Sequence, residues 1–154
     1  MLKTAEQEIR EKYPKLEVLG VGMDVRNEEE VRTAIAEAVR FGGGRLDIAI
    51  NNAGIEDGGL RTHEVPDETW AKNIEVNLTG LFRCQRAELQ AMLKQDDLGP
   101  RLGRGVIVNL SSTSGIKGPS LGDNDTPYFA SKFGRIKICS TSLKVLYMLM
   151  PSRC

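Results

Sequence analysis

The sequence contains few of the residues that build metal sites and disulfide frameworks, with three cysteines and one histidine among 154 residues. The cysteines (Cys84, Cys139 and Cys154) lack the spacing of metal ligands. Their odd number, without a signal peptide, predicts reduced thiols in the cytosol. The single histidine, His63, lies in a polar stretch, where a solvated side chain is expected. Neither a metal centre nor a Ser-His-Asp arrangement is therefore predicted.

The sequence also lacks an excess of one charge and a long apolar run. Its 21 basic and 21 acidic residues cancel, so no basic surface for nucleic acid is predicted. The most apolar run, LKVLYMLM near the C-terminus, is too short to cross a bilayer. Hydrophobic residues make up 40% of the chain and charged residues 27%. These values predict an ordinary soluble globular protein, and the length predicts that residues 1–154 form one domain. The cysteine pattern predicts that this domain lies in the cytoplasm.

A glycine-rich phosphate loop is missing as well. Dinucleotide-binding folds place such a loop between a strand and the N-terminus of a helix, where free N–H groups meet the pyrophosphate. The GVG at 20–22 lies inside a predicted strand, and the GGGR at 42–45 follows a predicted helix. These glycines are therefore predicted to serve strand packing and helix termination.

Apolar runs that indicate strands alternate along the chain with segments of helical periodicity. Strands are predicted at residues 16–25, 46–54 and 105–112, and helices at residues 2–12, from Asn27 to the glycines at 42–44, at about 67–94, and from Pro127 onward. Asn27 and Glu30 form a capping-box pattern at the second helix. Because the strands are continuous apolar runs, we expect an α/β fold with a parallel sheet covered on both faces.

Tyr128 and Lys132, in the segment YFASK, are four positions apart, a spacing that puts both on one face of a helix. A free tyrosine has a pKa of about 10, and a nearby ammonium favours the phenolate and lowers that pKa. Thr126 can cap the helix and Pro127 fits its first turn, so Tyr128 is predicted at the positive end of the helix dipole. By itself, the pair is better explained by an ordinary surface helix.

Two further segments place polar groups where apolar residues or ligands are expected. VIVNLSSTSG ends a predicted strand in serines, at the edge where open α/β sheets bind ligands. A serine hydroxyl there can donate to a carbonyl oxygen, although a polar turn is the better explanation of the segment taken alone. Asn77 lies in the apolar stripe of the long helix with Trp70, Leu81 and Met92. It is either a hydrogen-bonded core asparagine or part of a site.

Four motifs in order (NNAG, IEVN, VNLSS and YFASK) resemble those of the short-chain dehydrogenase/reductase family, over about residues 16–134. The resemblance implies a Rossmann-like, doubly wound parallel sheet. It also implies reversible hydride transfer between NAD or NADP and a small-molecule carbonyl or alcohol. Nucleic acid and membrane are not among the expected partners.

The resemblance implies a role for each matching residue. Tyr128 would exchange a proton with the substrate oxygen, and Lys132 would lower the tyrosine pKa and bind the nicotinamide ribose. Ser112 would hold the carbonyl, and Asn77 would anchor a water of the proton relay.

The cofactor contacts implied by the resemblance lie nearer the N-terminus. Asp24 would contact the adenine, and the backbone of Asn52, Ala53 and Gly54 would lie against the adenosine ribose. A residue without a side chain at Gly54 would let the cofactor approach the strand end closely.

The sequence departs from the family pattern at both ends. It begins in the helix that follows the family's first βαβ unit, which carries the glycine-rich loop. Residues 135–154 form an atypical tail before the family's last strands. The expected sheet is therefore incomplete, and a catalytically silent fragment is the second hypothesis. Such a fragment would be non-functional or would act only by association of copies, through the helices expected at 67–94 and 127–147.

Overall fold

The computed structural model describes residues 2–56, 59–101, 103–118 and 125–138, and the backbone of residues 144–148. The helices are α1 (Leu2–Lys12), α2 (Glu28–Phe41), α3 (Asp67–Ile74), α4 (Leu81–Met92) and α5 (Thr126–Lys137); the strands are β1 (Ile48–Asn51), β2 (Val106–Leu110) and β3 (Lys144–Met148). The strands pair in parallel in the order β1-β2-β3, with Ile48 opposite Val106. The predicted α/β fold with a parallel sheet is confirmed.

Helix α2 begins and ends as its sequence predicts. The side chain of Asn27 accepts hydrogen bonds from the N–H groups of Glu29 and Glu30, and its Nδ2 donates to Glu30 Oε1. These contacts satisfy N–H groups that have no partner inside the helix. At the other end, Gly43 and Gly44 have positive φ angles of 67° and 96°, which glycine adopts at little cost.

The strand predicted at residues 16–25 is wrong, because residues 16–24 form no regular structure. This segment is held instead by α1. Glu6 Oε1 accepts from the N–H of Gly20 at 2.6 Å, and Arg10 Nη2 donates to the carbonyl of Val18 at 2.9 Å. A strand needs a neighbouring strand to pair its backbone groups, and the described sheet offers none beside this segment.

Helices cover only one face of the described sheet. Ala49 and Ile107 are buried and pack together with Met92 of α4. Ile48 and Ile50 point to the opposite face of β1 and are 65% and 64% exposed. The expectation of cover on both faces is therefore wrong for the described residues. Both connections between neighbouring strands run in the same direction along the sheet, so right-handed crossovers place their helices on the same face.

The long helix expected at 67–94 is divided by a π-helical segment, Glu75–Gly80, between α3 and α4. A π-helical turn holds an extra residue and rotates the faces of the helix before and after it. Leu81 and Met92 are accordingly buried, whereas Trp70 is 43% exposed and does not continue their stripe. At Gly80, a Cβ atom would lie 2.7 Å from Val25 Cγ2, so glycine allows the helix to approach Val25.

The helix expected at 127–147 is shorter than predicted. Helix α5 ends at Lys137, and Lys144–Met148 forms β3, which pairs with β2. Part of the tail at 135–154 therefore extends the sheet, while residues 139–143 and 149–154 lie outside the described residues. Within the described ranges, no helix combines the length and apolar character that crossing a membrane requires.

Candidate active site

Helix α5 places Tyr128 in its first turn, as predicted, but its cap is Asp125 and not Thr126. Asp125 Oδ1 accepts from the N–H of Tyr128 at 3.3 Å, and Pro127 occupies the first turn. Thr126 lies inside the helix, and its hydroxyl forms a 2.7 Å hydrogen bond with the hydroxyl of Thr62. This bond ties the loop after β1 to the start of α5, at the side of the candidate site.

Three of the predicted site residues lie together at the end of β2 and the start of α5. The side chains of Ser112 and Tyr128 are joined by a hydrogen bond. Lys132 Nζ lies 5.2 Å from the centroid of the Tyr128 ring. Lys132 is 6% exposed and Ser112 is 1% exposed. The structure thus brings a hydroxyl donor, a phenol and a buried ammonium into one cluster.

The pKa of Tyr128 is raised above its ordinary value, chiefly because burial disfavours the phenolate. The Ser112 hydrogen bond acts in the opposite direction, while the carboxylates of Glu56 and Asp125 raise the pKa further. The expected net lowering of the Tyr128 pKa is therefore wrong for this structure, because burial outweighs the Ser112 hydrogen bond and the positive charge of Arg135, which both act to lower it. Tyr128 is a neutral phenol at pH 7, in the form that donates a proton.

The pKa of Lys132 is lowered from 10.5 to about 8, first by burial and then by the positive charge of Arg135. The carboxylate of Glu56 partly offsets both effects. Most of the Lys132 population still carries a proton at pH 7. The ammonium can therefore stabilise negative charge that forms beside it.

The two serines after β2 have different partners. Ser111 Oγ donates to the carbonyl of Lys132 at 2.9 Å and so anchors α5. Ser112 caps the 3-10 turn Thr113–Gly115, where its Oγ accepts from the N–H of Ser114 at 3.2 Å. The segment is thus a polar turn, and it also presents Ser112 to Tyr128.

Asn77 is fully buried in the π-helical segment and uses its whole carboxamide group. Its Oδ1 accepts from the N–H of Ile55, while its Nδ2 donates to the carbonyl of Ile55, both at 2.8 Å. Nδ2 also lies 3.0 Å from Ser131 Oγ and 3.4 Å from Asn73 Oδ1. Asn77 is therefore a satisfied core asparagine that also joins the turn after β1 to α5. The sequence analysis did not predict that Asn73 and Ser131 contact Asn77. Asn73 lies four residues before Asn77, and Ser131 lies four residues after Pro127. This spacing places each on the same buried helix face as its neighbour and could have identified it as an interior polar residue.

The backbone of Asn52, Ala53 and Gly54 is exposed just past the carboxyl end of β1. A Cβ atom on Gly54 would lie 3.2 Å from Asn77 Oδ1 and 3.4 Å from Lys132 Nζ. The side chains of Asn77 and Lys132 thus leave little room for any residue larger than glycine at this position. This is a second reason for a glycine here, besides the close approach of a cofactor expected from the sequence. A strip of exposed residues thus lies beside the buried ammonium of Lys132.

Asp24 lies apart from this cluster. Its carboxylate is bound by Arg26, with Nε at 3.0 and 2.9 Å from the two oxygens and Nη2 at 2.6 Å. These hydrogen bonds lower the pKa of Asp24 to about 2. The described contacts of its side chain do not join it to Tyr128 or Lys132, so an adenine contact at Asp24 stays a prediction.

Asn51, the polar residue that ends β1, belongs to a network of hydrogen-bonded side chains. Asn51 Nδ2 donates to Glu88 Oε2 at 2.9 Å and to Asn109 Oδ1 at 3.0 Å. Asn109 in turn donates to Gln85 Oε1 at 2.7 Å. The network links the ends of β1 and β2 to α4. Burial raises the pKa of Glu88 from 4.5 to about 7.

Two residues with metal-binding or nucleophilic side chains take no part in the site. The side chain of His63 is 76% exposed, which confirms the solvated histidine. Cys84 is buried, and burial raises the pKa of its thiol to about 11. Across the ranges that the structure describes, no group of three or more His, Cys, Asp or Glu side chains could hold a metal ion.

Comparison with known proteins identifies similar chains. Residues 1–146 match a family model described as short chain dehydrogenase. A Streptomyces coelicolor protein provisionally named a ketoacyl reductase is 39% identical over 136 residues, which are 86% of this chain and 46% of that protein.

Two solved structures share the fold. NAD+-bound xylitol dehydrogenase superposes with a TM-score of 0.77 and 31% identity, over 89% of this chain and 48% of that one. A variant of actinorhodin polyketide ketoreductase with NADPH gives a TM-score of 0.73 and 37% identity, over 88% and 48% of the two chains. The chain thus spans about half the length of these proteins.

Proposed function

The chain belongs to the short chain dehydrogenase family, and on this premise we propose that it carries the proton-transfer site of an NAD(P)-dependent oxidoreductase. The reaction is hydride transfer between the nicotinamide cofactor and a small-molecule carbonyl or alcohol. The observation that supports this proposal best is the cluster of Ser112, Tyr128 and Lys132 at the carboxyl end of the sheet. Open α/β sheets bind their ligands at this edge.

In the direction of carbonyl reduction, each side chain has a distinct task. The Ser112 hydroxyl donates to the carbonyl oxygen and orients it next to Tyr128. The neutral Tyr128 phenol gives its proton to that oxygen as negative charge develops on it. The ammonium of Lys132, 5.2 Å from the Tyr128 ring centroid, stabilises the phenolate that remains. When bound, the nicotinamide cofactor supplies the hydride.

The cofactor would be held by the exposed backbone of Asn52, Ala53 and Gly54 and by Lys132. Relatives are bound to NAD+ in one structure and to NADPH in another, so either nucleotide is compatible with this site. Asn77 has its carboxamide hydrogen-bonded to Ile55 and Ser131, and we assign it to positioning the turn beside Gly54. The water that the family resemblance assigns to Asn77 stays a prediction.

The experiment uses the chain completed with the N-terminal βαβ unit and C-terminal strands of a family member. Ketoacyl compounds and xylitol are the first substrates to test, because similar proteins are named for reactions with these compounds. Tyr128→Phe keeps the ring and removes the transferable proton, so we expect a loss of at least about 100-fold in turnover.

The matched control is Tyr13→Phe, at an exposed tyrosine beside α1, and it should keep full activity. If Tyr128→Phe retained most of the turnover, another group would be the acid.

A further inference from the structure

Arg135 is the largest fully buried side chain of the described chain, and it lies one helical turn after Lys132. Its Nη1 donates to the carbonyl of Ala53 and its Nη2 donates to the carbonyl of Asn51, both at 2.9 Å. Its Nε is buried and has no hydrogen-bond partner among the described residues. No ion pair found within the described ranges includes Arg135.

Burying a guanidinium without a carboxylate partner costs stability. The hydrogen bonds that Arg135 donates to two backbone carbonyls offset part of this cost. Strand β1 ends at Asn51, so the carbonyls of Asn51 and Ala53 lie at the point where sheet pairing stops and need other donors. Carbonyls two residues apart in extended chain face the same side, and the planar fork of a guanidinium can reach both. Neither lysine nor glutamine offers the same pair of donors.

The same guanidinium lies beside the candidate site. A Cβ atom placed on Gly54 would be 3.6 Å from Arg135 Nη1 and 3.4 Å from Lys132 Nζ. Two cations therefore face the same exposed backbone from one face of α5. Lys132 can lose its proton in moderately alkaline solution, whereas an arginine keeps its charge at every pH a protein survives.

We propose that Arg135 is a positioning residue of the candidate site: its guanidinium fixes the backbone from Asn51 to Gly54 against α5 and keeps a permanent positive charge beside Lys132. The inference rests on the proposed function, because a rigid strand end and a tuned ammonium matter for binding a dinucleotide and transferring a proton. Its test is independent of turnover.

The positive charge of Arg135 changes the pKa values of the titratable groups around it. On α5 it faces Lys132 and Tyr128, whose pKa values it lowers. From α4 it faces Cys84, whose pKa it also lowers. The carboxylate of Glu56, after β1, acts on Lys132 in the opposite direction. Asp125, just before α5, raises the pKa of Tyr128. Replacing Arg135 with a neutral residue should therefore raise the pKa of both Lys132 and Tyr128.

The experiment separates charge from geometry in the 154-residue chain. Lysine labelled with carbon-13 at Cε is titrated by NMR, and the Lys132 signal is identified by its loss in Lys132→Met. Arg135→Met removes the charge and the fork, so the Lys132 titration should move to higher pH. Arg135→Lys keeps the charge and loses the fork, so the titration should stay near its original midpoint. The control is Arg40→Met, at an exposed arginine of α2.

Hydrogen exchange of the backbone amides from Asn52 to Ile55 reports the geometry. With both carbonyl contacts disrupted, exchange in Arg135→Lys should be at least about tenfold faster than in the original chain. Because Arg135→Lys retains the charge, it provides this readout even if Arg135→Met does not fold. An unchanged exchange rate in Arg135→Lys, or an unmoved Lys132 titration in folded Arg135→Met, would overturn the inference. Loss of stability alone, with both readouts unchanged, would make Arg135 an ordinary packing residue.

Neither readout depends on catalysis. If the completed domain shows no turnover while the two readouts respond as expected, the proposed function fails and the positioning role of Arg135 stands. If turnover depends on Tyr128 but both readouts are unchanged, the function stands and the positioning role fails.

Discussion

We expect Glu88 to make the stability of this chain depend on pH between about 4.5 and about 7. The side chain is 4% exposed and accepts a hydrogen bond from Asn51 Nδ2 at 2.9 Å. Burial raises the pKa of its carboxyl from 4.5 to about 7, although the hydrogen bond from Asn51 partly opposes this shift. We expect Glu88→Gln to remove this dependence, because glutamine keeps an acceptor for Asn51 and carries no charge.

The sign follows from the two states of the chain. Between the unfolded pKa of 4.5 and the folded pKa of about 7, the folded chain holds a proton that the unfolded chain has released. The free energy of unfolding therefore falls as the pH rises through this window, and the loss is complete above it. At about 1.4 kcal/mol per pH unit, the total loss is about 3 kcal/mol.

The assay is urea unfolding followed by circular dichroism at low protein concentration, between about pH 5 and about pH 8, the window in which this carboxyl titrates. The original chain should lose stability across this range, and Glu88→Gln should lose about 3 kcal/mol less. Glu17→Gln, at an exposed glutamate, is the control and should follow the original chain. Parallel curves for the original chain and Glu88→Gln would refute the reasoning.

Two further predictions concern the 154-residue chain. Its sequence contains no glycine-rich phosphate loop, so calorimetry with NADH and NADPH should show no dissociation constant tighter than about 1 mM, or roughly 4 kcal/mol; a micromolar constant for either would contradict this. Ile48 and Ile50 are 65% and 64% exposed on an edge strand of the described sheet, so the chain should self-associate in size-exclusion chromatography and the pair Ile48→Thr, Ile50→Thr should reduce this. A monodisperse original chain with a sharp thermal transition would contradict the second prediction.

Structural features that depend on residues nearby in the sequence could be predicted. Features that depend on contacts with residues far away in the sequence could not. The four-residue spacing of Tyr128 and Lys132 predicted a shared helix face, and Asn27 predicted the start of α2. The apolar residues 16–25 have strand character, but pairing depends on a neighbour that local sequence does not reveal. The run at 144–148 was predicted as helix and forms a strand for the same reason, because short apolar runs suit a helix or a strand equally.

The pKa values and contacts of the site residues depend on how deeply they are buried, and the sequence reveals burial only in part. The Tyr128 pKa was expected to fall because of Lys132, yet burial raises it. Arg135 was placed where the family pattern ends, and only its contacts with Asn51 and Ala53 show that it belongs beside the site. The π-helical segment that carries Asn77 also has no local sequence signal, since the residues before and after it continue a helical pattern.

Transfer of labelled hydride tests the central claim most directly. The completed domain is incubated with a ketone and with NADH or NADPH carrying deuterium at the transferable C4 position of the nicotinamide, and the product is analysed by mass spectrometry and NMR. We expect deuterium on the carbinol carbon of the product, at a rate that falls at least about 100-fold in Tyr128→Phe and is unchanged in Tyr13→Phe. Absence of the label from the carbinol carbon, or transfer at an undiminished rate in Tyr128→Phe, would contradict a site in which Tyr128 supplies the proton for hydride transfer.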